Sequence, residues 1–311
     1  MKFLVMEANS TYHSAVLLKE SIEGLAVNPE GTYVDVTFGA GGHSKAILEH
    51  LNENGRLFAF DQDEESLQNK IDDHRFTLIN ANFKYLKNHL NVYGVKQVDG
   101  ILADLGVSSH QFDAEHRGFS IRFDCPLDMR MDTRKPLTAK DILNTYSELD
   151  LRRIFYNYGE IHNANKLSAV IVAERKQQKF DTSMDFQHRI SSCIPAKRDF
   201  KYLAQVYQAL RIEVNDEMKA LEAMLLQSKT MLKTKGRLVV ISYHSLEDRL
   251  TKFFIRSGNF EDKIEKDMYG NVLSPFVAVN RKAIVPSQEE LEKNNRSRSA
   301  KLRIAERSVY E

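Results

Sequence analysis

Three apolar runs that each stop on an aspartate constrain this chain more than any other feature of it. One run leads into Asp35-Val-Thr-Phe-Gly39-Ala-Gly41-Gly42-His43-Ser44. A second is Arg56-Leu-Phe-Ala-Phe-Asp61, and a third is Val98-Asp-Gly-Ile-Leu-Ala-Asp104. In an open parallel α/β sheet the carboxyl ends of the strands line one edge, where ligands bind. Three acidic strand ends and one glycine loop therefore converge on a single crevice, the layout of a nucleoside-cofactor site.

The loop glycines remove Cβ atoms where the backbone turns sharply or approaches a ligand. Asp61, at the second strand end and 22 residues past Gly39, suits hydrogen bonding to ribose hydroxyls. A dinucleotide fingerprint reads G-x-G-x-x-G, whereas Ser44 takes the last position here; a bare G-x-G also fits an ordinary strand-to-helix turn. Asp35 discriminates. A carboxylate just before the loop repels a pyrophosphate, while S-adenosylmethionine carries a cationic sulfonium and ammonium and no phosphate. The methyl donor is favoured over a nicotinamide dinucleotide, so an oxidoreductase is the opposed reading. A non-catalytic RNA-binding protein that keeps only the cofactor fold is the other.

Strand-like runs at about 32–37, 56–61, 76–80, 98–104 and 236–242 alternate with helical stretches, the βαβ rhythm of a parallel sheet. Val277–Val279 and Ala300–Ala305 supply closing strands. The 132 residues from Asp104 to Gly236 far exceed the dozen or so that a parallel crossover needs. A domain is therefore inserted, at about 112–206, between flanking parts 1–111 and 207–311. It reads as helical: Thr138 with Asp141 resembles a capping box, and Gly159 stops a helix over 149–158. Ala164–Gln178 has helical spacing, and Asp181 or Thr182 caps a helix toward Cys193 that Pro195 ends. Leu203–Leu232 reads as one long amphipathic pattern returning to the sheet, and Ser287–Arg298 is the most linker-like stretch.

Composition sets outer limits. With 42% hydrophobic and 28% charged residues in 311, the chain can build a real core. No apolar run approaches the roughly 18 residues of a membrane span, and the start of the chain does not read as a secretory signal. Cys125 and Cys193 lack metal-ligand or disulfide spacing, and His13, His110 and His116 lack metal spacing, so no metal is expected. A reducing, cytoplasmic location fits best. The net charge of +1 conceals an asymmetry. Residues 1–112 hold 9 Lys and Arg against 15 Asp and Glu, a balance of −6, while 113–210 carry +3 and 211–311 carry +4. Basic clustering of this kind suits a nucleic-acid partner. Lys197-Arg198-Asp-Phe200-Lys201-Tyr202 interleaves charge with aromatic faces that can stack unpaired bases. Arg296, Arg298, Lys301, Arg303 and Arg307 form a second basic stretch. Either cluster can equally be a solvated surface.

Seven ordered segments carry a resemblance: Asp35–Ser44, Asp104-Leu-Gly-Val-Ser-Ser109, Pro126-Leu-Asp-Met-Arg-Met131, Tyr158-Gly-Glu160, Gln208–Asn215, Ser242-Tyr-His-Ser-Leu-Glu-Asp-Arg249 and Arg296–Glu306. Together, from about His13 to Arg307, they resemble the bacterial 16S ribosomal RNA (cytosine-N4)-methyltransferase family. Cys125 and Asn295 depart from the family's usual Gly and Pro; both affect local loop shape only. The resemblance implies a Rossmann-like class I methyltransferase sheet with an inserted all-helical domain for substrate recognition. It implies S-adenosylmethionine as cofactor and N4-methylation of a cytidine in the decoding region of 16S rRNA, within the small ribosomal subunit. It further implies cofactor contacts at Gly41, Gly42, the backbone of His43, Asp61, Phe83, Asp104 and Gln111; unaided, Phe83 reads as core.

The cytosine N4 lone pair is delocalised into the ring, so an enzyme assists by accepting its N–H bonds. Asp104 and the Leu105 carbonyl sit where DNA amino-methyltransferases carry Asp/Asn-Pro-Pro-aromatic, but here the prolines and the stacking aromatic are missing. Phe112, Phe119 or Phe123 could replace that surface after base flipping, or serve as core. Asp104 is the catalytic candidate, with cofactor contact as its favoured role. Methylation at C5 would instead need an activated cysteine, and neither Cys125 nor Cys193 has that context. His244 divides evenly between substrate contact and structural role.

Overall fold

The computed structural model describes residues 15–308; His13, where the resemblance begins, lies outside them. All the expected strands form. β1 (Thr32–Asp35), β2 (Arg56–Asp61), β3 (Phe76–Asn80), β4 (Val98–Asp104), β5 (Leu232–Ser242), β6 (Phe276–Ala278) and β7 (Lys301–Arg307) make one sheet of order β3-β2-β1-β4-β5-β7-β6. The first five run parallel, and β7 pairs antiparallel with β5 and β6. Strand order reverses between β1 and β4, which opens a crevice at their carboxyl ends. This is the expected Rossmann-like sheet.

Alternation along the strands loads both faces. Tyr33, Leu57, Ala59 and Leu102 pack toward α1 (Leu18–Leu25) and α2 (Gly42–His50). Val34, Phe58, Phe60 and Ile101 face the other side, covered by α3 (Leu86–Val92) and by helices from the second half of the chain. Burying each such side chain contributes about 1.5–3 kcal/mol, so both layers are needed to hold the strand ends in place.

The insert has a core of its own. It comprises α4 (Ser109–Asp113), α5 (Ala139–Thr145), α6 (Glu148–Asn157), α7 (Ala164–Gln177), α8 (Ser183–Arg189) and α9 (Asp199–Asn215). Leu143, Ile154, Phe155, Leu167, Ile171 and Phe186 interlock inside it. The Thr138–Asp141 capping box forms, and the Thr182 hydroxyl caps α8 by accepting from the Asp185 N–H.

Two boundaries differ from the sequence reading. The long pattern at 203–232 is two helices, α9 and α10 (Glu217–Met231), because Asp216 between them adopts a left-handed conformation with φ 57°. Aspartate is one of the few non-glycine types that visits this region readily. Val206, Leu210 and Val214 of α9 sit in the insert's core, whereas Leu221, Met224 and Leu225 of α10 pack on the sheet. Residue 206 thus falls inside α9, and the insert's packing continues to Val214. β5 also starts at Leu232 rather than at 236, with Lys235 at φ 66° where the register to β4 shifts. Beyond β5 lie α11 (Ser245–Ser257) and α12 (Gln288–Lys293), the latter within the stretch expected to be linker. No helix among the described residues is long and apolar enough to cross a membrane.

Candidate active site

The glycine loop turns from β1 into α2 with Gly39 at φ 53° and Gly41 at φ 80°, values that carry a penalty for side-chain-bearing residues. A Cβ on Gly41 would also lie 2.9 Å from the Phe38 ring. Asp61, at the end of β2, steadies this loop. Its Oδ2 accepts from the Gly39 N–H at 2.8 Å, and its Oδ1 accepts from the Asp63 N–H at 2.9 Å. Burial nevertheless pushes its carboxyl up to about 6.

Asp35 lies wholly beneath the loop. The Ser44 hydroxyl donates to its Oδ2 at 2.7 Å and the Thr37 N–H to its Oδ1 at 3.1 Å. Ser44, the residue that breaks the dinucleotide fingerprint, is thus the partner of the carboxylate that disfavours phosphate. Burial raises the Asp35 pKa against the lowering effect of His43. Asp35 acts from below and not by direct contact.

Asp104 ends β4 across the switch point from Asp35. Its N–H donates to the Thr37 hydroxyl at 2.7 Å, and its Oδ1 accepts from the Tyr243 hydroxyl at 2.8 Å. Its Oδ2 lies 3.8 Å from Nδ1 of His43, whose Nε2 is 3.1 Å from the Val16 carbonyl. Burial pushes Asp104 up to about 6, opposed by His43 and Tyr243. The His43 ring is therefore engaged within the protein, and its backbone lies in the first turn of α2.

Phe83 follows β3 in a short 3-10 turn and lines a small cavity with Gln62, Asn82, Leu105, Gly106 and Met131. Gln62 and Asn82 join at 2.7 Å. Gln111 is placed differently from Phe83. Its Nε2 donates to Oδ2 of Asp63 at 2.6 Å and its Oε1 accepts from the Ser108 N–H in a capping box. Each polar end of its amide keeps one protein partner, with one N–H and one lone pair left over. Arg117, 3% exposed, completes this arrangement by pairing with Asp63 at 2.9 Å.

Tyr243, Thr37, Asp63 and Arg117 were not singled out by sequence. Tyr243 lay within a quoted motif, and the other signal, a tyrosine directly after a strand end, is weak. The structure also gathers Glu217, His244 and Glu247 within 4.8 Å of one another. Both Glu217 oxygens are held by Arg211, at 2.8 and 2.9 Å, so a guanidinium already supplies the cation there. Burial would raise Glu247, but His244 and Arg211 hold it below the usual carboxylate range. His244 caps α11, which favours its structural role. The C-terminal basic stretch is largely consumed internally: Lys301 and Arg303 pair with Asp248, Arg296 with Asp113, and Arg307 donates to the Lys229 carbonyl.

Desolvation raises two strand-end carboxylates, Asp61 and Asp104, to about 6. Asp61 can accept from ribose hydroxyls and Asp104 can face a cationic sulfonium or ammonium, so these residues fit S-adenosylmethionine. A sequence profile of the MraW methylase family matches residues 10–308. A ribosomal RNA small subunit methyltransferase H of Christiangramia forsetii is 55% identical over 94% of this chain and 97% of its own length. One from Parabacteroides distasonis is 55% identical over 97% and 99%. A solved rRNA methylase from Streptococcus thermophilus aligns over 93% of this chain and 95% of its own, at 13% identity and TM-score 0.40; the fold assignment rests on the strand order instead. The chain belongs to the MraW methylase family and is an S-adenosylmethionine-dependent methyltransferase.

Proposed function

We propose that this enzyme methylates N4 of a cytidine in the decoding region of 16S rRNA, within the small ribosomal subunit of the cytoplasm. The names of its 55% identical relatives support small-subunit rRNA as substrate. The observation that carries amine rather than ring-carbon chemistry is the state of the thiols. Cys125 and Cys193 are the chain's two cysteines. They are 4% and 3% exposed, and burial pushes both thiols up. C5 methylation needs a thiolate at the transfer point, and these lie in the insert.

S-adenosylmethionine supplies an electrophilic methyl group on a cationic sulfur. The chain's residues divide the remaining work. Asp61 would accept from the ribose hydroxyls, with oxygens already oriented by Gly39 and Asp63. Gly41, Gly42 and the His43 backbone would line the amino-acid end, and Phe83 would pack on the adenine. Gln111 with Arg117 fixes Asp63 behind Asp61. Asp104 faces the donor and, with the Leu105 carbonyl, accepts from the cytosine amine. A carboxyl titrating at about 6 is charged at neutral pH and can take the proton that N4 loses. Tyr243 positions it. The insert grips the RNA.

Mass spectrometry of 16S rRNA from a deletion strain, with and without complementation, tests substrate, base and position together. Loss and recovery of one N4-methylcytidine in the decoding region is expected. Loss of a methyl group at C5, at another nucleotide, or at none would overturn the reading.

A further inference from the structure

A second cavity, of about 190 Å³, opens beside the strand-end crevice, between the segment following β4 and the 200–211 stretch of α9. Val107, three residues past Asp104, forms one wall. Phe112, Phe119 and Tyr207 give it aromatic sides, and Phe200, 63% exposed, stands at its mouth. Phe123, considered with Phe112 and Phe119 as a stacking surface, does not line it.

Its polar groups are mostly engaged elsewhere. Gln208 donates to the Tyr158 carbonyl at 2.8 Å, Arg211 clamps Glu217, and the Tyr207 hydroxyl accepts from Gln187 at 3.0 Å. The walls thus offer flat apolar faces with little to read a Watson–Crick edge. The rim is cationic. Arg122 lines it, and Lys197, Arg198 and Lys201 are exposed beside Phe200, with no carboxylate among the described residues within ion-pair distance of any of them. Of the C-terminal cations, by contrast, Arg296, Lys301 and Arg303 pair with the chain's own acids.

We infer that this cavity holds an unpaired nucleobase flanking the target cytidine, stacked between the aromatic walls and Phe200, while Arg122 and the Lys197–Lys201 cations take the adjoining phosphates. This rests on the RNA substrate proposed above. Stacking on aromatic faces above a basic groove is how single-stranded nucleic acid is held without sequence readout. The occupant is a neighbour and not the methylated base, because Asp104 lies outside the cavity's lining.

Two variants test this, Phe200→Ala and Ala204→Trp, the second filling the cavity from an exposed position. The substrate is the small subunit purified from cells lacking the methylation. Loss of one stacked base is expected to raise the subunit KM about tenfold, with kcat and calorimetric donor affinity near wild type. Binding of a short single-stranded RNA, followed by fluorescence anisotropy and independent of methyl transfer, should weaken by a similar factor. Unchanged KM and unchanged anisotropy in both variants would overturn the subsite while wild-type methylation stands. A fall in kcat at constant KM would make the occupant the target base and overturn the assignment to a neighbour. Wild-type enzyme that binds the RNA through this cavity but methylates no subunit would defeat the proposed function alone.

Discussion

The Tyr243 hydroxyl donates to Asp104 at 2.8 Å across 139 residues of sequence. Burial and the Asp104 charge push the tyrosine's own pKa far up, so it stays a donor throughout the working range. The bond lowers the Asp104 pKa. Tyr243→Phe removes it, and a hydrogen bond to a charged group is worth about 1.5–3 kcal/mol, or about one to two pKa units. The acid limb of the kcat profile should therefore move up by about one unit or more. A limb that stays put would assign that ionisation to a different group.

Asp61 and Asp104 both titrate at about 6, raised chiefly by burial. The unfolded chain releases these protons near 3.8–3.9, so between about pH 4 and 6 the native state holds more protons than the unfolded one. Their contribution to stability is full below pH 4 and is lost as pH rises through 6. A cationic donor favours the charged carboxylates. Its binding should release protons near pH 6, and its affinity should climb up to about pH 7 and then level off. Calorimetry in buffers of different ionisation enthalpy measures the proton count. Asp104→Asn should lower that count and raise the donor KM; proton-neutral binding at pH 6 would mean that neither carboxylate meets the donor.

Asp61→Ala removes an acceptor for the ribose and frees the Gly39 and Asp63 N–H groups it holds. With charged hydrogen bonds at about 1.5–3 kcal/mol each, donor affinity should fall at least tenfold, while binding to the small subunit changes little. Equilibrium dialysis with labelled donor decides it, and wild-type affinity in the folded variant would remove Asp61 from the site.

Arg117→Met leaves the Asp63 carboxylate, 5% exposed, without its guanidinium. Breaking one half of a buried ion pair costs about 3–5 kcal/mol. The thermal midpoint should drop by several degrees, with weakened donor binding in whatever remains folded. Replacing Arg117 and Asp63 together by apolar residues should recover much of the stability but not the binding, which separates scaffold from site.

Strands β2, β4 and the second half of β5 were legible because each is an apolar run with a sharp end, and the acidic ends of β2 and β4 follow from the same pattern; β7, Lys301–Arg307, showed instead as alternation. The break between α9 and α10 was hidden inside a continuous amphipathic repeat, although Asn215-Asp216 is a pair that tolerates a left-handed turn. What sequence could not supply was which side chains meet across long separations. The Gln111 amide meets Asp63 across 48 residues, and the Arg303 guanidinium meets Asp248 across 55. Such pairings depend on tertiary register and leave no local periodicity.

The acids draw only part of their compensation from distant parts of the chain. Asp35, Asp61, Asp63 and Asp104 all precede the insert, whereas Arg117 enters with the insert and Tyr243 only after it. A ribosome synthesising this protein therefore releases the carboxylates first and their guanidinium and phenol later. Until residue 243 has emerged, Asp104 lacks its phenol donor, and a truncated translation product lacks that part of the strand-end crevice.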